Sequence, residues 1–211
     1  MKKPHKILLA VLSVILIGVL AMQYWPSSAD PKSTDMHERL QAVSQLAERN
    51  DAESFAILTE LCDDSEIRVA RSSVRVIASR KNNPKSAELL EKIAKTSPHG
   101  AIRGAAAAGL GYFKKTDYKL LTAMMLDDED PAARAGAAMG LKRLHNHASR
   151  DALLEAMGDP DLYVRINAHK AIGALTARWL AFDPKAAKEV RSEQLKAIKR
   201  GLAGISAPHG H

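Results

Sequence analysis

Five arginines, Arg39, Arg71, Arg103, Arg134 and Arg165, recur at intervals of 32, 32, 31 and 31 residues. A guanidinium presents a planar fork of donors that suits a carboxylate or a phosphate. Such a row has two readings. It can bind an acidic ligand, or it can be a structural repeat ladder in which each arginine bonds to the capping aspartate or carbonyls of the adjacent repeat. Recurrence in every unit favours the structural ladder, because a functional site usually breaks a repeat and need not appear five times. The histidines raise a second chemistry. His145 and His147, and His209 and His211, are close in sequence, but zinc needs three or four ligands in fixed geometry with a supporting second shell. Neither pair has a cysteine or carboxylate set at ligand spacing. His37-Glu38 is a single pair and cannot build a two-metal site. His169, near Arg165, reads as a groove or surface residue. The serines lack a histidine and an acid in the frame of a nucleophilic triad, and Gly100, Gly104, Gly109 and Gly111 punctuate an alanine-rich helix rather than a phosphate-binding loop. No catalytic, cofactor-binding or metal-ligating residue is assigned, and neither a cofactor nor a small-molecule substrate is expected.

The elements that position the arginines follow from the apolar frame downstream of them. Three residues after each arginine come Ala42, Val74, Ala106, Ala137 and Ala168, and seven residues after come Leu46, Ala78, Leu110, Leu141 and Ile172. A period of this length marks stacked helical hairpins, which cannot bury their apolar faces alone and therefore pile into a quasi-one-dimensional body. The first helix of each hairpin carries an apolar pair: Ile57-Leu58, Leu89-Leu90, Leu120-Leu121 and Leu153-Leu154. Pro84, Pro98, Pro131, Pro160 and Pro184 fit helix starts, where a fixed φ and a missing amide hydrogen are tolerated. Asn83, Ser97, Asp130, Asp159 and Asp183 precede them as caps. The helices expected are 36–49, 52–62, 66–80, 85–96, 99–113, 117–126, 131–145, 149–157, 161–181 and 184–203. No stretch alternates with a two-residue period, so no sheet is expected. The fold class is all-α: an α-solenoid of stacked antiparallel helical hairpins, preceded by one N-terminal apolar helix.

Aromatic residues make up 4% of the chain, so helices must meet through small side chains at short range, which favours regular stacking over a deep pocket. The net charge is +7, but Lys2, Lys3 and Lys6 precede the apolar run and leave only +4 for the remainder. That excess is too small to imply nucleic acid. Cys62 stands alone and reads as a buried helix thiol.

Residues 7–22 carry no charge, follow three lysines and lead into Tyr24-Trp25-Pro26. Extended through Trp25 the segment has 19 residues, close to the ~20 needed to cross a hydrocarbon core, with aromatics where an interfacial belt would lie. The expectation is a single-pass anchor with a cytoplasmic N-terminus and a periplasmic or extracytoplasmic repeat domain. The alternative is secretion to the periplasm after cleavage before Asp30, with Ser27-Ser28-Ala29 as the small-residue site. The domains are then 1–25 signal anchor or transmembrane helix, 26–34 linker, 35–205 repeat domain and 206–211 flexible tail. Residues 184–203, rich in lysine and arginine, read as a polar cap. Trp179 and Phe182 precede it and read as fixing the cap, with an interface as the alternative.

The strings Asp128-Glu-Asp-Pro-Ala-Ala-Arg134-Ala-Gly-Ala137 and Asp159-Pro-Asp-Leu-Tyr-Val-Arg165-Ile-Asn-Ala168 resemble HEAT-type repeats over about residues 36–182. The resemblance implies a shape rather than a chemistry. It points to a non-enzymatic, membrane-tethered scaffold that binds another protein for assembly or recruitment. The pattern is also similar to the HEAT-like repeats of phycobilin lyases, which implies chromophore handling as the alternative. A HEAT-like DNA glycosylase is a third reading, but it would need aromatics and an acid in a basic groove.

Overall fold

The structure is a computed structural model that describes residues 28–203. Among these residues, ten α-helices and one 3-10 turn follow in order, with no strand: α1 (Met36–Ala47), α2 (Ala52–Leu61), α3 (Ile67–Ser79), α4 (Pro84–Thr96), α5 (Gly100–Leu110), α6 (Tyr118–Asp127), α7 (Pro131–Leu144), the turn His147–Ser149, α8 (Arg150–Ala156), α9 (Leu162–Thr176) and α10 (Lys188–Leu202). Helix starts are set by short polar side chains. Asp35, Asp51, Asn83, Asp117, Asp130 and Asp161 each accept a hydrogen bond from an amide of the first turn, so an otherwise orphaned donor is satisfied. At the other end, α7 and α9 stop at residues in the left-handed region, His145 at φ 54° and Ala177 at φ 51°.

Helices α1, α3, α5, α7 and α9 form one row, each packed on the next, while α2, α4, α6 and α8 pack against them as a second, looser row. Between the rows lies a continuous core that includes Leu58, Val74, Ile77, Leu90, Leu121 and Ile172, all fully buried. The rows differ because of side-chain size. Where α5 crosses α7, a Cβ at Gly104 would overlap the Ala132 carbonyl oxygen, and one at Gly136 would overlap the Gly104 carbonyl oxygen. Backbones therefore touch directly there, whereas the leucines of the second row hold its helices apart. Tight spacing on one side and loose spacing on the other bends the stack toward the first row.

This is the expected all-α solenoid of hairpins, with differences in detail. Helix α9 ends at Thr176 and α10 begins at Lys188, so residues 177–187 form a connection rather than helix. Pro184 consequently sits in that connection and Asp183 caps no helix. At α5 and α9 the caps are His99 and Asp161 instead of Ser97 and Asp159. The apolar run and the aromatic belt after it fall on residues 1–27, and the tail on 204–211, outside the described residues. The membrane-anchored, single-pass placement, with its cleaved periplasmic alternative, is corrected: no helix among the described residues is long and apolar enough to cross a membrane.

Candidate functional site

The arginines divide into two groups. Arg39, Arg103 and Arg134 each stand four residues after a helix cap and repeat one geometry. Their Nη1 atoms donate to two carbonyls in the turn before their own helix, Ser33 and Thr34 for Arg39, Ser97 and Pro98 for Arg103, Asp128 and Glu129 for Arg134. Nε and Nη2 then grip a carboxylate 25 residues downstream in the next hairpin. The distances are 2.7 and 3.0 Å to Asp64, 2.9 and 2.7 Å to Asp128, and 2.8 and 3.1 Å to Asp159. Each acid also accepts the amide of the residue two positions on, Glu66, Asp130 and Asp161. A single rung thus joins two turns and two repeats.

Side-chain exposure along the rungs is low, 11% for Arg103 and 10% for Asp128. Hydrogen bonds donated to Asp64, Asp128 and Asp159 hold the three guanidinium groups above their ordinary pKa, against the opposing effect of burial. Burial works to raise Asp64 and Asp128, but the bonds from Arg39 and Arg103, with the turn amides, outweigh it and leave both carboxyls below their ordinary value.

Arg165 keeps the inward half of this geometry, donating to the carbonyls of Asp159 and Pro160, but its Nε meets the Pro184 carbonyl at 2.8 Å instead of a carboxylate. Burial, and then the charge of Arg191, lower its pKa. Arg191 itself occupies the same place in α10, four residues after the cap Ala187, and donates to Ala186 O at 2.6 Å. The sequence frame missed it because it follows Arg165 by 26 residues.

Arg71 is one residue out of register. The cap of α3 is Glu66, so the ladder position is Ala70, which is buried, and the matching acid position is Ser97. Both halves of this rung are missing together, which leaves no buried charge unpaired. Ser97 Oγ still accepts the His99 amide at 3.4 Å and so preserves the turn.

Arg71 instead lies on the exposed side of α3, in the wall of a groove of about 1120 Å³ bordered by α3, α5, α7 and α9. Relative to each helix cap, positions 2, 6 and 9 on α5 supply Ala101, Ala105 and Ala108, and positions 2, 5 and 9 on α7 supply Ala132, Ala135 and Met139. These small residues make a floor. Arg71 and Arg75 rise on the α3 side, Tyr163 and Asn167 on the α9 side. One end is closed by Tyr112, with Lys81 Nζ 4.5 Å and Arg143 Cζ 4.4 Å from its ring centroid. Arg143 also donates to Ala108 O at 2.6 Å.

Residues 32–111 and 118–195 match HEAT repeats. The chain belongs to the HEAT-repeat family. No curated protein matches it. The HEAT repeats make it a helical repeat scaffold of the kind that serves protein interaction, and they cover both the ladder and the groove.

The remaining sequence candidates fall away from this groove. His145 and His147 rings meet edge to face at 5.6 Å in the connection after α7, and His209 and His211 lie outside the described residues. His169 Nε2 lies 3.1 Å from Leu180 O, with the ring edge-on to Phe182 at 5.4 Å and Trp179 at 6.5 Å. Phe182 is buried at 7% exposure, whereas Trp179 is 90% exposed. Cys62 is buried, and burial, with Asp63 nearby, pushes its thiol up to about 12. A thiol so held is a poor nucleophile.

Proposed function

We propose that this HEAT-repeat chain is a non-enzymatic scaffold that binds another protein along the groove of its first-row helices, for assembly or recruitment. The observation that carries this reading is the floor itself. Two adjacent helices present alanines and a methionine to solvent while their neighbours raise arginine and tyrosine, so an open channel runs across four consecutive hairpins. Repeat scaffolds bind by spreading modest contacts over such a surface. No observation on the groove favours chromophore handling over protein binding.

The test is photocrosslinking in the native host. A crosslinking residue replaces Ala101 on the groove floor or, as the comparison, exposed Glu88 on α4. The reading expects discrete protein adducts from position 101, absent from position 88, and lost when Ala132→Trp fills the floor. Identical adduct patterns at both positions would contradict it.

A further inference from the structure

The charges of the groove are sorted, and the sorting describes an occupant. Four cations face it: Arg71, Arg75, Lys81 and Arg143. Lys81 and Arg143 flank Tyr112 at the end where the helices finish. Two carboxylates, Asp130 and Asp161, lie at the opposite end, where the helices begin. The carboxylates are already engaged, Asp130 with the Ala132 amide and Asp161 with the amides of Tyr163 and Val164. Among the described residues, Arg71 and Arg75 make no hydrogen bond or ion pair, and both are exposed. Arg39, Arg49, Arg103 and Arg134, by contrast, are each held by both oxygens of a carboxylate. Neither carboxylate of the groove is within ion-pair reach of Arg71 or Arg75.

We propose that the groove receives an acidic polypeptide segment whose carboxylates pair with Arg71, Arg75 and Arg143 while its small apolar side chains lie on the alanine floor. This rests on the scaffold reading and names the chemistry of the partner. An arginine fork takes a carboxylate in two parallel bonds, and complementary charge fixes register and orientation more than raw affinity. The segment is directional: acidic over α3 and the Tyr112 end, and neutral or basic toward Asp130 and Asp161, where a further carboxylate would meet like charge. Four helices at 8–10 Å spacing give a path of roughly 27 Å, the reach of about eight extended residues.

A nucleic acid fits less well. Its backbone charge is uniform and calls for cations along the whole track, whereas this track ends at two carboxylates over an apolar floor with no donor for phosphate. Base stacking would need open aromatic faces, and Tyr112 is already flanked by two cations.

The test is selection from a library of random peptides of about eight residues, displayed and panned on the full chain, on Arg71→Glu/Arg75→Glu, and on Arg68→Glu as an exposed α3 control outside the groove. Wild type and Arg68→Glu are expected to enrich aspartate and glutamate. Arg71→Glu/Arg75→Glu is expected to enrich lysine and arginine instead, and to bind a selected acidic peptide at least about tenfold more weakly. Enrichment without regard to charge, or acidic enrichment unchanged in the reversed variant, would overturn the inference. So would retention of random-sequence duplex DNA that exceeds retention of the selected peptides and is lost in the reversed variant. Crosslinks from position 101 that persist in Arg71→Glu/Arg75→Glu would leave the scaffold reading standing and remove only the acidic partner. Loss of those crosslinks in the Ala132→Trp variant alone would have the same meaning.

Discussion

The junction between α5 and α7 and the junction between α3 and α5 are built from the same repeat and hold together differently. At α5–α7, glycine backbones touch, the Arg103–Asp128 rung spans the turns, and Arg143 reaches back to Ala108 O. At α3–α5 the rung is gone, with Ala70 and Ser97 in its two places, and a Cβ on Gly109 would meet the Ala78 side chain instead of backbone. The α3–α5 junction is also where the groove raises its unpaired arginines. The contrast separates two uses of one side chain. Arg39, Arg103 and Arg134, each with a carboxylate 25 residues on, join repeats, whereas Arg71 and Arg75, exposed and without an internal acceptor, are left to meet a partner.

The largest effect is expected at the tight junction. Arg103→Ala leaves Asp128 in a mostly buried site without its guanidinium, and removing one partner of a buried pair costs about 3 kcal/mol or more. Chemical denaturation should show this as a lower midpoint, with Arg71→Ala close to wild type as the comparison. If the two substitutions cost the same, the division of the arginines fails. Gly136→Ala should follow, since its methyl group must displace the Gly104 carbonyl, and overpacking of this sort costs about 1–3 kcal/mol. Thermal melting of that variant checks it.

A smaller and more specific effect is expected from building the missing rung. Ala70→Arg alone should destabilise, because it buries an unpaired cation, and Ser97→Asp added to it should recover a coupling of about 1.5 kcal/mol, the lower range for a charge-assisted bond. A double-mutant cycle measures that term directly. Zero coupling would mean that the α3–α5 turns are not placed to carry a rung.

The smallest effect over the neutral range is that of pH. Asp64 and Asp128 have folded pKa values below their unfolded ones, so between the two values the unfolded chain binds more protons. Their contribution is complete above the unfolded value of about 4 and is lost as pH falls through the folded value, with a slope of at most about 1.4 kcal/mol per pH unit for each group. Stability should thus be flat from neutral pH to about 5 and fall below about 4. Asp64→Asn/Asp128→Asn should flatten that acid limb in pH-dependent melts.

Much of the fold was readable from the chain. The period, the paired helices and their approximate spans follow from apolar spacing, because helix packing in a stack repeats the same burial in each unit. The register of the second hairpin was not readable from that frame. Both Ser73 and Val74 are buried, and both Ile77 and Ala78, so the apolar positions do not distinguish an arginine at 71 from a ladder position at 70. The acids would have excluded Arg71 without pointing to Ala70, because the matching Ser97 lies 27 residues after it. Asp64, Asp128 and Asp159 each lie 25 residues after a ladder arginine, while the residue 25 after Arg71 is Thr96. The end of α9 was hidden for another reason: Asp183-Pro184 has the composition of a helix start, but the chain turns there and starts α10 only at Lys188. The groove was out of reach of one-dimensional reading because its walls and floor come from four helices whose groove-facing residues are far apart in sequence.

Native-state hydrogen exchange gives an opening free energy for each helix and so reads the difference between the two junctions helix by helix. Helices α1–α3 are expected to open as a unit below the free energy of α5, α7 and α9, and Arg103→Ala is expected to erase this difference by lowering the second group. Equal protection across the α3–α5 junction, together with no loss at α5 and α7 in Arg103→Ala, would contradict the contrast between the two junctions.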